Sequence, residues 1–174
     1  MIDYRIFNKS QKKKIILFHG LFANSGFWLP YLKYFKTHQL IVFDLNYADL
    51  FKMNFNQLKL LLYHFLKKLN INLSNDVIIS HSMGTVIGKI ISSKYDILSY
   101  EICSTYLGSR KPNANFLLDI ESRIKISSDK ANIIYNNVNL FMKLNLDSLH
   151  EIQSNSCYFI THEDQYFTYK IKNI

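Results

Sequence analysis

Two prolines, five glycines and two cysteines are all that 174 residues contain of these types, and each scarcity removes a class of protein. So little proline and glycine beside 15% aromatic residues excludes a collagenous, low-complexity or disordered chain. Two cysteines cannot build a disulfide scaffold. Cys103 and Cys157 both lie in apolar runs that read as strands, with no histidine at metal-ligand spacing. They are expected to be buried free thiols of a reducing cytoplasm, and no metal or organic cofactor is expected. Long apolar runs are missing too. Ile15 to Phe18, behind Lys12-Lys13-Lys14, is too short for a signal peptide and far below the ~20 residues of a membrane span. The expectation is a cytoplasmic protein without a membrane partner. Acidic residues are scarce as well: 13 Asp and Glu against 21 Lys and Arg leave a formal charge of +8. That balance suggests an acidic partner. The lysines are scattered and no nucleic-acid module is recognisable, so nucleic acid is not expected.

With 48% hydrophobic residues the chain can bury one real core, and no repeat or linker divides residues 1–174. Short apolar runs alternate with helical patterns. Strands are predicted at Ile2 to Phe7, Lys14 to Phe18, Leu40 to Leu45, from Asn75-Asp76 into the Val77-Ile78-Ile79 run, Leu98 to Ser104 and Ser156 to Thr161. Phe27 to Phe35 has helical spacing with Pro30 early. The strongest helix begins near Asn54, with Leu58, Leu61, Leu62, Phe65, Leu66 and Leu69 on one face. The fold class is α/β, a mainly parallel sheet with helices on both faces. Ligands of such sheets bind beyond the carboxyl ends of the strands, where His19, Ser82 and the loop after Ser104 fall. Residues 105–154 break the alternation. Helices are predicted at 115–126 and 129–144, far more chain than a crossover needs, and read as a small helical lid over the site.

The chain is organised around Val77-Ile78-Ile79-Ser80-His81-Ser82-Met83-Gly84, an apolar strand running into a helix with Val86, Ile87, Ile90 and Ile91 on one face. Strand, serine on a tight turn, helix is what a nucleophile elbow requires. Small residues are needed two before and two after the serine, because the two backbones approach closely there. Gly84 fits, and Ser80 stands in for the usual first glycine. Ser82 is therefore the candidate nucleophile. Acyl transfer also needs oxyanion donors and a base. One donor is the amide after the nucleophile, Met83. The other is assigned to Leu21, in the His19-Gly20-Leu21 that ends an early buried strand. Elbow and HG pair together point to an α/β-hydrolase.

Six histidines compete for the base. His19 braces the oxyanion loop, His81 points away from the nucleophile's partner side, and His38 and His64 read as structural or solvated. His150 falls in the lid. His162, ending the last strand at the functional edge, is the candidate base. Asp164 is the candidate acid, with Asp147 in reserve because two residues' separation is cramped. Asp44 reads as a turn-former.

The order HGLF, VFDLNYADL, ISHSMG, ITHEDQYF resembles the carboxylesterases of biotin synthesis, BioG and BioH and above all the short BioV type. The resemblance runs from about residue 15 to the end. It implies a truncated α/β-hydrolase fold and hydrolysis of the methyl ester of pimeloyl-acyl carrier protein. Ser82 would be the nucleophile and Asp164 the acid after the penultimate strand. The larger relatives carry the base on a further unit beyond the acid, and no such unit follows here before Ile174. The base is thus expected from elsewhere in this chain, with His162 the candidate, or from a partner subunit, or to be absent. Since acyl carrier proteins are acidic, the resemblance also gives the positive charge a use: Arg110, Lys111, Arg123 and Lys125 would dock the carrier. Phe22, Phe116 and Phe141 would form an apolar slot for the acyl chain. An esterase or thioesterase for another small acyl group, or a non-catalytic binding protein on a hydrolase scaffold, are the rival expectations.

Overall fold

A computed structural model describes residues 2–71, 75–103, 118, 122, 127–150 and 155–159, except for the side chains of residues 94, 128 and 142–150. Its centre is a six-stranded sheet: β1 Ile2–Phe7, β2 Lys14–Phe18, β3 Gln39–Leu45, β4 Val77–His81, β5 Leu98–Ile102 and β6 Ser156–Phe159. The order is β1-β3-β2-β4-β5-β6, with β1 antiparallel to β3 and every other pair parallel. β2 and β3 carry apolar residues on both faces because both faces are covered. Ile16, Phe18, Ile41, Phe43 and Ile78 join one buried cluster, and Ile15, Leu17, Leu40 and Val42 join the other. Register aligns Leu17 with Val42 on one side and Ile79 on the other, so each row across the sheet keeps to one face.

α1 Tyr47–Leu50 is followed on the first face by α2 Phe55–Lys68, α3 Gly84–Tyr95 and α4 Ser128–His150. Asn54 opens α2 through a capping box, its side chain taking the Gln57 N–H while the Gln57 side chain takes the Asn54 N–H. The predicted stripe then buries Leu58, Leu62 and Leu66, each worth about 2 kcal/mol of apolar transfer. In α3 the stripe is Val86, Ile87, Ile90 and Ile91. The second face is covered by Ser25–Tyr34, which forms 3-10 turns rather than the expected α-helix. Pro30 removes an amide donor mid-segment, and the short run has few turns with which to recover it. Trp28 plugs this layer onto Ile15, Leu17, Leu40 and Val42.

The expected lid is described only for Leu118, Ser122 and residues 127–150. In α4, Ala131, Val138 and Phe141 are buried in the core that α2 and α3 share, so this part of the stretch covers the sheet. Phe141 corrects an expectation. It is 1% exposed and packs against Phe51 at 5.2 Å between ring centroids, so it is core and not the wall of a slot. The cysteines also differ from expectation. Cys103 is half-buried just beyond β5 and Cys157 is exposed on β6. Among the described residues β6 is the last strand in the order, and beside it on the second face they line an apolar cavity of about 500 Å³ with Ile79, Tyr100 and Phe159 among others. No helix among the described residues is long and apolar enough to cross a membrane.

Candidate active site

β4 ends at His81 and α3 starts at Gly84, so Ser82 and Met83 alone make the turn between them. Ser82 adopts φ 50°. Its N–H donates to the Ile102 carbonyl at 2.9 Å, and its own carbonyl accepts from the Thr85 N–H at 2.9 Å and the Thr85 hydroxyl at 2.6 Å. These bonds hold a left-handed serine at the N-terminus of a twelve-residue helix, where the helix dipole favours negative charge. The close approach is visible at Gly84: a Cβ there would stand 2.6 Å from the His19 carbonyl oxygen and 2.8 Å from that of Phe18. The unusual Ser80 is accommodated from the other side. It is fully buried, and a Cβ on Gly88, one turn into α3, would lie 2.8 Å from its Oγ. Gly88 supplies the room that a first glycine would otherwise leave.

Among the described residues, six non-glycine residues have positive φ. Asn8, Asn70 and Asp96 are of the types that tolerate this region and sit in turns. The other three, Phe22 (63°), Ser82 (50°) and Cys103 (52°), are not, and all lie beyond the carboxyl ends of β2, β4 and β5. Strain of this kind, ~1–3 kcal/mol each, gathers where function over-determines the backbone. It marks this edge of the sheet.

The loop after β2 packs against the elbow, since a Cβ on Gly20 would stand 3.0 Å from Ser82 Cβ and 3.1 Å from His81 Nδ1. It is tied to the end of β3 at several points. The Ser25 hydroxyl and N–H donate to the Asp44 carboxylate at 2.9 and 3.4 Å. The Tyr47 hydroxyl donates to the His19 carbonyl, and the Leu45 N–H donates to His19 Nε2 at 2.9 Å. His19 Nδ1 lies 2.7 Å from the Gly20 carbonyl. Among the described residues no acceptor takes the Leu21 or Met83 N–H, which an oxyanion site requires. Sequence reasoning read Asp44 as a turn-former and overlooked Tyr47. A strand-end Asp and a Tyr three residues on were the only signals.

Burial pushes the His19 pKa below its ordinary 6.5, while the Gly20 carbonyl and the Asp44 carboxylate pull weakly the other way. Burial likewise raises Tyr47 well above its ordinary 10.0. A folded His19 that resists protonation adds stability that is present above pH 6.5 and lost as pH falls below it. A folded Tyr47 that resists ionisation adds stability that is present below pH 10.0 and lost as pH rises beyond it. The melting temperature is therefore expected to fall on both sides of that window. In thermal scans across pH, Tyr47→Phe should flatten the alkaline limb and leave the acid limb unchanged; an unchanged alkaline slope would refute the assignment.

Of the sequence-derived candidates, Ser82, Leu21, Met83 and Phe22 are described, and all four lie at this edge. Phe22 is 48% exposed. His162, Asp164, Arg110, Lys111, Arg123, Lys125 and Phe116 lie outside the described residues, as do the side chains of Asp147 and His150. The described histidines have other roles. Both ring nitrogens of His19 are engaged. His81 stacks on Phe27, with centroids 4.8 Å apart and planes 25° apart. The His38 carbonyl takes the Asn8 side chain and His38 Nδ1 lies 3.0 Å from the Thr37 hydroxyl, at the start of β3. His64 sits inside α2 with its ring edge-on to Phe65. Among the described residues none hydrogen-bonds to Ser82 Oγ, and no cluster of His, Cys, Asp or Glu could hold a metal.

No protein-family model matches this chain, and no curated protein matches it in sequence. Solved structures do match in shape. A monoacylglycerol lipase from Paleococcus ferrophilus superposes with TM-score 0.62 at 10% identity, over 93% of this chain and 78% of its own. A putative aryl esterase from Burkholderia cenocepacia gives 0.62 at 11% identity, over 97% and 78%. A lipase-esterase related protein from Clostridium acetobutylicum gives 0.60 at 14%, over 94% and 81%. The chain has the α/β-hydrolase fold.

Proposed function

We infer that this α/β-hydrolase is a cytoplasmic serine carboxylesterase that removes the methyl ester from a pimeloyl group carried on acyl carrier protein. One observation carries the chemical part: a serine held at φ 50° between strand and helix, with the Gly20 loop packed against its Cβ. Ser82 Oγ attacks the ester carbonyl and passes its proton to His162, which Asp164 orients. The Leu21 and Met83 N–H groups hold the oxyanion. Methanol departs with the proton, and water then releases the acid by the same steps reversed. The described histidines all have other roles, which supports a base outside them. His150 closes α4, five residues before Asn155, whose carbonyl takes the Ser99 N–H at the amino end of the sheet, opposite Ser82. That favours His162 over His150.

The substrate half of the reading rests on the resemblance of HGLF, ISHSMG and ITHEDQYF to the pimeloyl esterases and on a formal charge of +8, which suits an acidic carrier. Arg110, Lys111, Arg123 and Lys125 are assigned to that docking. The test compares methyl pimeloyl-carrier protein with a short p-nitrophenyl ester, using wild type and His162→Ala. The expected outcome is at least about tenfold higher kcat/KM on the carrier-bound ester, and loss of about a thousandfold in the variant, as for a removed triad member. Equal turnover of carrier-free esters would leave a general small-ester hydrolase. A fully active His162→Ala would move the base elsewhere.

A further inference from the structure

The Leu21 amide is aimed by a neighbour's ring rather than by its own side chain. The Leu45 N–H, a donor in every state, points at His19 Nε2 from 2.9 Å, so that nitrogen carries no proton. The neutral ring then has its proton on Nδ1, which lies 2.7 Å from the Gly20 oxygen and donates to it. That oxygen belongs to the same planar group as the Leu21 N–H. No peptide bond among the described residues is cis, so the N–H points opposite to the C=O. The Gly20 oxygen also accepts the Ala23 N–H at 3.3 Å, a longer bond than the 2.7 Å one from the ring. Drawing that oxygen onto the His19 ring turns the Leu21 N–H the other way, and a hydrogen bond accepted at one end of a peptide strengthens donation at the other. The preceding peptide is fixed as well, because the His19 oxygen takes the Tyr47 hydroxyl and lies against Gly84.

We propose that His19 is a positioning residue that sets the direction of the Leu21 oxyanion donor, through a relay from Leu45 N–H across the His19 ring and the Gly20–Leu21 peptide. The proposal rests on the esterase reading and on Leu21 as a donor. Its novelty is that one tautomer of a buried ring sets the strength of an amide two residues away, without touching substrate.

Two substitutions divide the ring's bonds. His19→Asn places an amide nitrogen near the Nδ1 position and can keep the bond to Gly20. His19→Gln places its amide near the Nε2 position and can keep only the bond to Leu45. Steady-state kinetics on a p-nitrophenyl ester are expected to show kcat for His19→Gln at least about tenfold below His19→Asn with KM little changed, because a misaimed donor is lost mainly in the transition state. Nitrogen-15 spectra of the wild-type imidazoles should show one ring with its proton on Nδ1 alone. Equal kcat for the two variants, losses that follow their melting temperatures, or a His19 ring protonated on Nε2 would overturn the relay. The spectra read the relay even if neither variant folds. A wild type that neither turns over esters nor reacts with a fluorophosphonate would instead overturn the esterase reading, and with it the relay's catalytic role.

Discussion

Ser82→Ala is expected to hydrolyse a p-nitrophenyl ester at least about a thousandfold more slowly than wild type, and to lose labelling by a fluorophosphonate, while melting within a degree or two of it. The two halves have separate causes. Activity goes because the Oγ is the only atom of the turn able to form the acyl bond. Stability stays because, among the described residues, the Oγ makes no hydrogen bond, so its removal strands no partner. The backbone at φ 50° is equally awkward for alanine and serine. Glycine is different. Ser82→Gly relieves the left-handed strain, worth about 1 kcal/mol, and should melt above wild type while being equally inactive. A protein stabilised by deleting its candidate nucleophile would show that the turn is kept strained for chemistry. A Ser82→Ala variant that retained most activity would remove Ser82 from the mechanism, and equal inactivity of wild type would leave a binding protein on a hydrolase scaffold.

Much of this architecture could be read directly from the chain. Parallel strands covered on both faces need uninterrupted apolar runs, and Ile15 to Phe18 and Leu40 to Phe43 are such runs. The α2 stripe and its Asn54–Gln57 cap are local, so spacing alone reveals them. The turn at Ser82 between strand and helix is legible for the same reason: it is made by a few consecutive residues. What could not be read is whatever depends on register between distant segments. The Ser25–Asp44 tie, the Tyr47–His19 bond and the Gly88 space for Ser80 join residues 8 to 28 positions apart, and no periodicity announces them. The same limit explains Phe141 and Cys157. Each sits in an apolar run, but α4 turned its stripe inward onto α2 and α3, whereas β6 is the outermost strand among the described residues. Apolar spacing tells which residues seek cover; it does not tell which element supplies it.

Gly84→Ala is the second large effect, and it follows from what kind of atom blocks the added methyl. The new Cβ would lie 2.6 Å from the His19 oxygen, 2.8 Å from the Phe18 oxygen and 3.0 Å from the Phe18 carbonyl carbon, all backbone. Alanine in a first helical turn would ordinarily gain about 1 kcal/mol over glycine. Here that gain is outweighed, because relief requires α3 to move off β2 or the β2 end to move off α3. Either motion opens the core around Phe18, Val86 and Ile87 and swings the His19 carbonyl from the Tyr47 hydroxyl. A net loss of about 3 kcal/mol is expected in urea unfolding, at the upper end of overpacking in a dense core. Activity should fall further than the folded fraction, because the Gly20 loop packed against Ser82 moves with His19. Gly26→Ala is the matched control. Its Cβ would come as close, 2.7 Å, but to the Asn24 Oδ1, the end of an exposed side chain that can rotate away. The loss there should be only the cap, about 1 kcal/mol, with esterase activity kept. If both substitutions cost the same, the β2–α3 contact is not the constraint that holds the Ser82 turn against the loop after β2.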